Sequence, residues 1–159
     1  MITIFTPTYN RKEYIYKLYN SLIKQSNYNF EWLVIDDDSS DETDLLMRTL
    51  KEDMFPIRYI KMPYNSGKYN LYNVAIEESS GNYFICVDSD DLLTPNAIEI
   101  IEKAINMNKK SIGYIFPQIS DDYNNSCEWE NMDKKLIDII DTEDIYKIRE
   151  TAIVFKTDI

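Results

Sequence analysis

Trp32-Leu-Val-Ile-Asp-Asp-Asp-Ser-Ser-Asp-Glu-Thr43 sets out the fold in one line. Its first four residues are bulky, apolar and too few for a helix, so they read as a buried strand. The acidic triplet Asp36-Asp37-Asp38 then stands at that strand's carboxyl end. Ser39 and Glu42 have the spacing of a reciprocal helix cap and predict a helix with Leu45, Leu46 and Leu50 inside. Strand, polar turn and helix make the repeating unit of an α/β protein, and the unit recurs on both sides. Upstream, Ile2-Thr-Ile-Phe-Thr6 is a strand. Asn10, with Glu13 three residues on, opens a helix that buries Ile15, Leu18, Tyr19, Leu22 and Ile23. Downstream, Ile57 to Ile60 is a third strand, and Gly67 precedes a helix carrying Leu71, Val74 and Ala75. Tyr83 to Val87 is a fourth strand. Thr94 caps the next helix, Pro95 suits its first turn, and Ile98, Ile101 and Ile105 line its inner face. Ile112 to Phe116 is a fifth strand. The alternation predicts an αβα sandwich around a mainly parallel sheet.

Beyond Asp121 the pattern loosens. A polar loop is expected to Asn131, a short helix or strand over Leu136 to Ile140, a helix start at Asp141 or Thr142, and a strand over Ala152 to Phe155. The whole of 1–159 reads as one domain, without repeat, low-complexity tract or linker. The sequence stops just after a strand with no closing element, so the expectation is a C-terminal truncation.

Charge narrows the partners. The 28 acidic residues against 17 basic leave a net charge of −11. That balance argues against nucleic acid and anionic membrane surfaces as direct partners, because both are held by Lys and Arg. An acidic protein that binds an anion needs a local remedy, such as a metal ion or a helix N-terminus. The chain has no His, which removes imidazole catalysis and imidazole ligands. Cys86 lies in an apolar run and reads as a small core residue; with Cys127 it suggests reduced, cytosolic thiols. No basic, apolar leader follows Met1, and no apolar run approaches the ~20 residues of a membrane-spanning helix.

Ligands in open α/β sheets sit beyond the carboxyl ends of the strands, where strand order reverses. Three polar clusters fall there: Thr6-Pro-Thr-Tyr-Asn10, Asp36-Asp-Asp38 and Asp88-Ser-Asp-Asp91. Strand alternation can bring Asp88 and Asp90 to one side. Two hard carboxylates without His or thiolate suit Mg²⁺ or Mn²⁺, with a diphosphate completing the shell. The bland alternative is a solvated turn before a helix. Asp36 to Asp41 lacks the central Gly and terminal Glu of a calcium loop. It could bind base or ribose, or could simply cap a helix. In Asn65-Ser-Gly-Lys68, Gly67 permits close backbone approach and Lys68 is a point charge suited to phosphate. An exposed loop lysine is the alternative.

Thr6-Pro-Thr-Tyr-Asn-Arg11, Trp32 to Thr43, Asn65-Ser-Gly-Lys-Tyr-Asn-Leu-Tyr-Asn73 and Gly81-Asn-Tyr-Phe-Ile-Cys-Val-Asp-Ser-Asp-Asp91 together resemble a family 2 glycosyltransferase of GT-A fold. The four blocks, in order and at familiar spacing, cover roughly residues 1 to 105. The resemblance implies a nucleotide-binding core over 1–118, with 119–159 beginning an incomplete acceptor-side region. It implies that Thr6, Pro7 and Tyr9 line the base, and that Asp37 binds the uracil edge of a UDP-sugar. Lys68 would lie near the base or diphosphate, and Asp88 near ribose or the metal's water shell. Asp90 would coordinate Mn²⁺ or Mg²⁺, and Asp91 would orient the loop or donor sugar. Two positions depart from the pattern: Asp38, where Gly or Asn is usual, and Tyr72, where Arg is frequent.

The implied reaction is sugar transfer, with inversion, from a nucleotide diphospho-sugar to a glycan or lipid-linked acceptor. The setting would be cytoplasmic, peripheral at the inner membrane face in the full-length protein. The family's base, in a Glu-Asp motif, is expected beyond Ile159, since Glu143-Asp144 resembles helix-start chemistry. Residues 1–159 are then expected to bind nucleotide and transfer sugar poorly. Haloacid-dehalogenase-like phosphatases want their Asp-x-Asp on the first strand, and here it follows the fourth. Receiver domains want an Asp after the third strand, and here Lys61-Met-Pro63 follows. A nucleotidyltransferase would have a Gly-rich, Arg-containing first loop. An inactive nucleotide-binding or interaction module is the remaining alternative.

Overall fold

In the computed structural model, which describes residues 1–117 and 151–157, six strands form one sheet in the order β3-β2-β1-β4-β6-β5. Strands β1 (Ile2–Thr8), β2 (Phe30–Asp36), β3 (Ile57–Lys61) and β4 (Tyr83–Cys86) are mutually parallel. Strand β6 (Thr151–Lys156) runs antiparallel between β4 and β5 (Gly113–Pro117). The fifth strand therefore does not pair with the fourth. The last strand is wedged between them, an arrangement that local periodicity does not encode.

Every residue of β1 and β2 is buried. Central parallel strands are covered on both faces, so their sequences run apolar instead of alternating. Period-2 geometry divides those side chains between two cores. On one face Ile2, Ile4, Trp32 and Val34 pack against α1 (Lys12–Leu22), α2 (Thr43–Met47) and α4 (Ala97–Met107) through Ile15, Leu18, Leu22, Met47, Ile98, Ile101 and Ile105. On the other, Phe5, Leu33 and Ile35 pack against Leu71 and Ala75 of α3 (Lys68–Glu78). Gly81 lets the chain cross the start of β1. A Cβ there would lie 2.5 Å from the Thr3 amide nitrogen, and its own N–H donates to Thr3 Oγ1.

The helix starts differ from the sequence expectation in a consistent way. Among the described residues, no helix N-cap residue makes a side-chain cap bond. Asn10 takes φ +52, and its Oδ1 accepts from the Ser40 amide in the next loop. Asp41 supplies the carboxylate at the start of α1, accepting from Lys12 N–H at 2.9 Å. Partial burial would raise the Asp41 carboxyl, but donors from Thr43 and Lys12 outweigh it and hold it below the ordinary range. Ser39 accepts from the Asn10 amide and donates its own N–H to Asp36. Glu42 sits in the left-handed region, Leu45 is exposed, and Thr43 and Met47 are the buried residues of α2. At α4, Gln25 reaches from the end of α1 to accept from Ile98 N–H and donate to the Thr94 carbonyl. Asn10, Ser39 and Asp41 tie the turns after β1 and β2 into one assembly at the sheet's carboxyl end, while Gln25 ties the start of α4 to the opposite end, beside the segment that leads into β2.

Candidate functional site

Strand order reverses at β1, whose neighbours β2 and β4 are reached by connections running in opposite directions. The loops after β1, β2 and β4 border that reversal, where a crevice for ligand forms. Thr6 and Pro7 are buried at the end of β1, and Tyr9 is about half exposed beyond them. Thr6 Oγ1 accepts from the Trp32 indole N–H at 3.0 Å, pinning the loop to the core. Thr8, which the sequence reading passed over, is 3% exposed. Among the described residues its hydroxyl is the buried side-chain oxygen left without a hydrogen-bond partner. Such a group is costly unless something pairs with it, and only tertiary structure marks it out.

Asp36 and Asp37 divide the labour of the second cluster. Asp36 is fully buried, accepts from Ser39 N–H and from the Tyr59 hydroxyl, and anchors its loop. Burial first, then that bond to Asp36, pushes the Tyr59 phenol well above its ordinary value. Asp37 is 4% exposed. Its Oδ1 accepts from Ser66 N–H at 2.7 Å and its Oδ2 from Gly67 N–H at 2.8 Å. The carboxylate thus joins the loop after β2 to the turn that opens α3, and it retains lone pairs for another donor. Gly67 has φ +85, a backbone conformation that favours glycine, although a Cβ there would meet no atom within 4 Å. Asp38 has φ +66, a left-handed conformation that Gly, Asn and Asp accept most readily. That is the physical reason Gly or Asn is usual there, and Asp38 meets the same requirement.

The third cluster is electrostatic. Lys68 Nζ bonds both oxygens of Asp88 at 2.7 Å. Arg11 Nη1 bonds Asp90 Oδ2 at 2.8 Å. Burial works against the Lys68 charge, yet the bond to Asp88 and the nearby Asp90 hold its ammonium above the ordinary value. Partial burial raises the Asp91 carboxyl, and Asp88 and Asp90 raise it further against the opposing pull of Lys68. Asp88, Asp90, Asp91 and Lys68 therefore share one field. Tyr72, one turn after Lys68 on α3, supplies no cation. Its ring meets Phe5 edge-on at 5.1 Å, and its phenol interacts electrostatically with the Cys86 thiol, which in turn contacts Asp88 Oδ1 at 3.6 Å. Lys68, Tyr69 and Tyr72 line an open pocket of 530 Å³ beside these carboxylates.

Cys86 is pushed up to about 12, mainly by burial. At pH 8 a thiol of that pKa is thiolate to about one part in ten thousand, against roughly a quarter for an ordinary cysteine. Native-state iodoacetamide labelling of Cys86, mapped by mass spectrometry, should be slower than in denaturant by about three orders of magnitude. Equal rates would contradict its place in the core.

Among the described residues, no group of three or more carboxylate or thiol side chains is gathered closely enough to hold an ion by itself. The donors at the end of β4 are hard carboxylates. A divalent cation bound there fits their chemistry provided a diphosphate supplies the remaining oxygens.

The sequence profile named Glycosyl transferase family 2 matches residues 3–156. The chain belongs to glycosyl transferase family 2. Its sheet has the GT-A architecture of solved glycosyltransferases such as TarS. Staphylococcus aureus TarS 1–349 superposes with a TM-score of 0.79 at 25% identity, covering 98% of this chain and 47% of that one. TarS has also been solved with UDP and with UDP-GlcNAc. A Pyrobaculum calidifontis mannosyltransferase, solved with GDP-Man and Mn²⁺, shares the fold with a TM-score of 0.67 at 17% identity, over 98% of this chain and 44% of that one. The Escherichia coli enzyme named UDP-Glc:alpha-D-GlcNAc-diphosphoundecaprenol beta-1,3-glucosyltransferase WfgD is 31% identical over 126 residues, 79% of this chain and 48% of the relative. The chain spans about half the length of each of these three proteins. Among its described residues no helix is long and apolar enough to cross a membrane. Glu143-Asp144 and Cys127 lie outside the described residues.

Proposed function

We propose that this chain forms the donor-binding part of an inverting glycosyltransferase that uses a UDP-sugar with Mn²⁺ or Mg²⁺ and serves a glycan or lipid-linked acceptor. The observation that carries this reading is the bonding of Asp37 to Ser66 and Gly67. Two of the four motif loops are thereby held at one end of the sheet, and the ion pairs of Lys68 and Arg11 draw in the other two. Family membership and the UDP-bound TarS structures support the nucleotide assignment.

In this reading Thr6, Pro7 and Tyr9 border the base, and Asp37 accepts from the uracil N–H. Lys68 serves the diphosphate, Asp88 the ribose or the metal's water shell, and Asp90 the metal itself. Asp91 orients the donor sugar. A divalent ion held by Asp90 and Asp88 would supply positive charge to offset that developing on the departing diphosphate. No base for the acceptor is assigned among these residues. The lipid-linked acceptor follows the name of the E. coli relative, and a peripheral position at the inner membrane face would follow from it.

Calorimetry tests the proposal. UDP should bind with Mn²⁺ present and lose most of its affinity on chelation. Asp90→Ala should abolish that metal dependence while leaving the thermal unfolding temperature within the range of surface substitutions, because Asp90 is exposed and outside the core. UDP binding indifferent to metal would reject the metal assignment. No UDP binding at all would favour an interaction module.

A further inference from the structure

The carboxylates assigned to metal are already neutralised by the protein's own cations. Asp88 holds Lys68 through both oxygens, and Asp90 holds Arg11. Arg11 is not a stray surface residue. Its main-chain carbonyl accepts the N–H groups of Tyr14 and Ile15 in the first turn of α1. Its guanidinium carbon lies 5.2 Å from the centroid of the Tyr14 ring, which steers the side chain across to the end of β4.

Consider what each ligand meets alone. A divalent ion must detach both cations from their carboxylates and then sit beside them unpaired. A diphosphate meets two cations already engaged, with Asp88, Asp90 and Asp91 facing it. When both ligands arrive, the partners can exchange: carboxylates to the ion, cations to the phosphate oxygens, with every charge again paired. We propose that Arg11 and Lys68 are exchangeable counter-ions, that Arg11 is a diphosphate-contacting residue of the donor site, and that their release couples metal binding to diphosphate binding. The inference rests on the donor-site reading above. Reciprocity requires that the ion improve UDP affinity by the same factor as UDP improves ion affinity.

The test is calorimetry with Mn²⁺ alone, UDP with chelator, UDP with Mn²⁺, and uridine as the phosphate-free probe. It uses wild type, Arg11→Gln and Arg11→Lys. Wild type should bind each ligand weakly alone, with a coupling factor of roughly 5–150-fold. Arg11→Gln frees Asp90, so Mn²⁺ alone should bind about three- to fivefold more tightly, the scale of an exposed ion pair. In the same variant UDP with Mn²⁺ should bind about tenfold more weakly, the loss of one charged contact, and the coupling factor should fall accordingly. Uridine affinity and unfolding temperature should stay unchanged, and Arg11→Lys should restore most of the coupling. A merely structural Arg11 would not strengthen binding of the free ion. UDP binding whose coupling to Mn²⁺ survives Arg11→Gln would overturn this inference alone. Failure of wild type to bind either UDP or uridine would remove the donor-site reading and the inference with it.

Discussion

Asp37→Ala is expected to remove nucleotide binding and to loosen the fold at once. The carboxylate is buried and takes two backbone N–H donors, from Ser66 and Gly67, and the Ser66 hydroxyl as well. Deleting it removes three part-buried bonds to a charged acceptor; Ser66 is half-buried and Gly67 exposed, so water takes up much of the lost bonding and the cost is about 1–3 kcal/mol of stability. UDP affinity should fall about 100-fold, from the lost base contact and from release of the turn that sets Lys68 at the start of α3. Thermal unfolding and a UDP titration at saturating Mn²⁺ read the two effects separately. Asp90→Ala is the internal contrast, because an exposed carboxylate should change ligand binding without changing stability. Wild-type UDP affinity in Asp37→Ala would dismiss the assignment of Asp37 to the base, whatever happened to the melting temperature.

Trp32→Ala should produce the largest purely structural loss. Trp32 is fully buried and lies among Ile4, Val34 and Ile15 in the core beneath α1. It stacks on Tyr19 at 6.2 Å, and its indole N–H holds Thr6. Truncating a buried tryptophan costs about 3–5 kcal/mol, out of the ~5–15 kcal/mol that stabilises a domain. For a chain of this size the melting temperature should drop by roughly 6–20 °C, read by calorimetry or circular dichroism. Trp32→Phe retains most of the volume and loses the bond to Thr6. It should therefore cost much less stability while still weakening UDP binding through a looser first loop. A Trp32→Ala protein as stable as wild type would mean that this core is not packed as described.

Much of this was legible in residue order because the signals are short-range. Four-residue apolar runs at 32–35 and 83–86 are strands for want of any other way to bury them. Ile98, Ile101 and Ile105 recur at helical spacing and are buried on one face of α4. The composition of the four loop motifs, with no His available, pointed to carboxylate and lysine chemistry before any contact was known. Leu45 shows the limit: its spacing fits the inner face of a helix, but α2 turns Thr43 and Met47 inward instead.

What the sequence determined alone was therefore the kind of protein: parallel strands covered by helices, acidic turns at their carboxyl ends, and the family those turns belong to. Propensity, periodicity and motif chemistry are properties of neighbours along the chain. Tertiary structure alone decided who meets whom. It put β6 between β4 and β5, gave the start of α1 to Asp41 and that of α4 to Gln25, and left the Thr8 hydroxyl unpaired. It also brought Arg11 to Asp90 across 79 positions. The physical reason is the same in each case: a charge or hydrogen-bond donor settles on whichever partner the packed sheet brings within about 3 Å, and that distance is fixed by the fold, not by position in the chain.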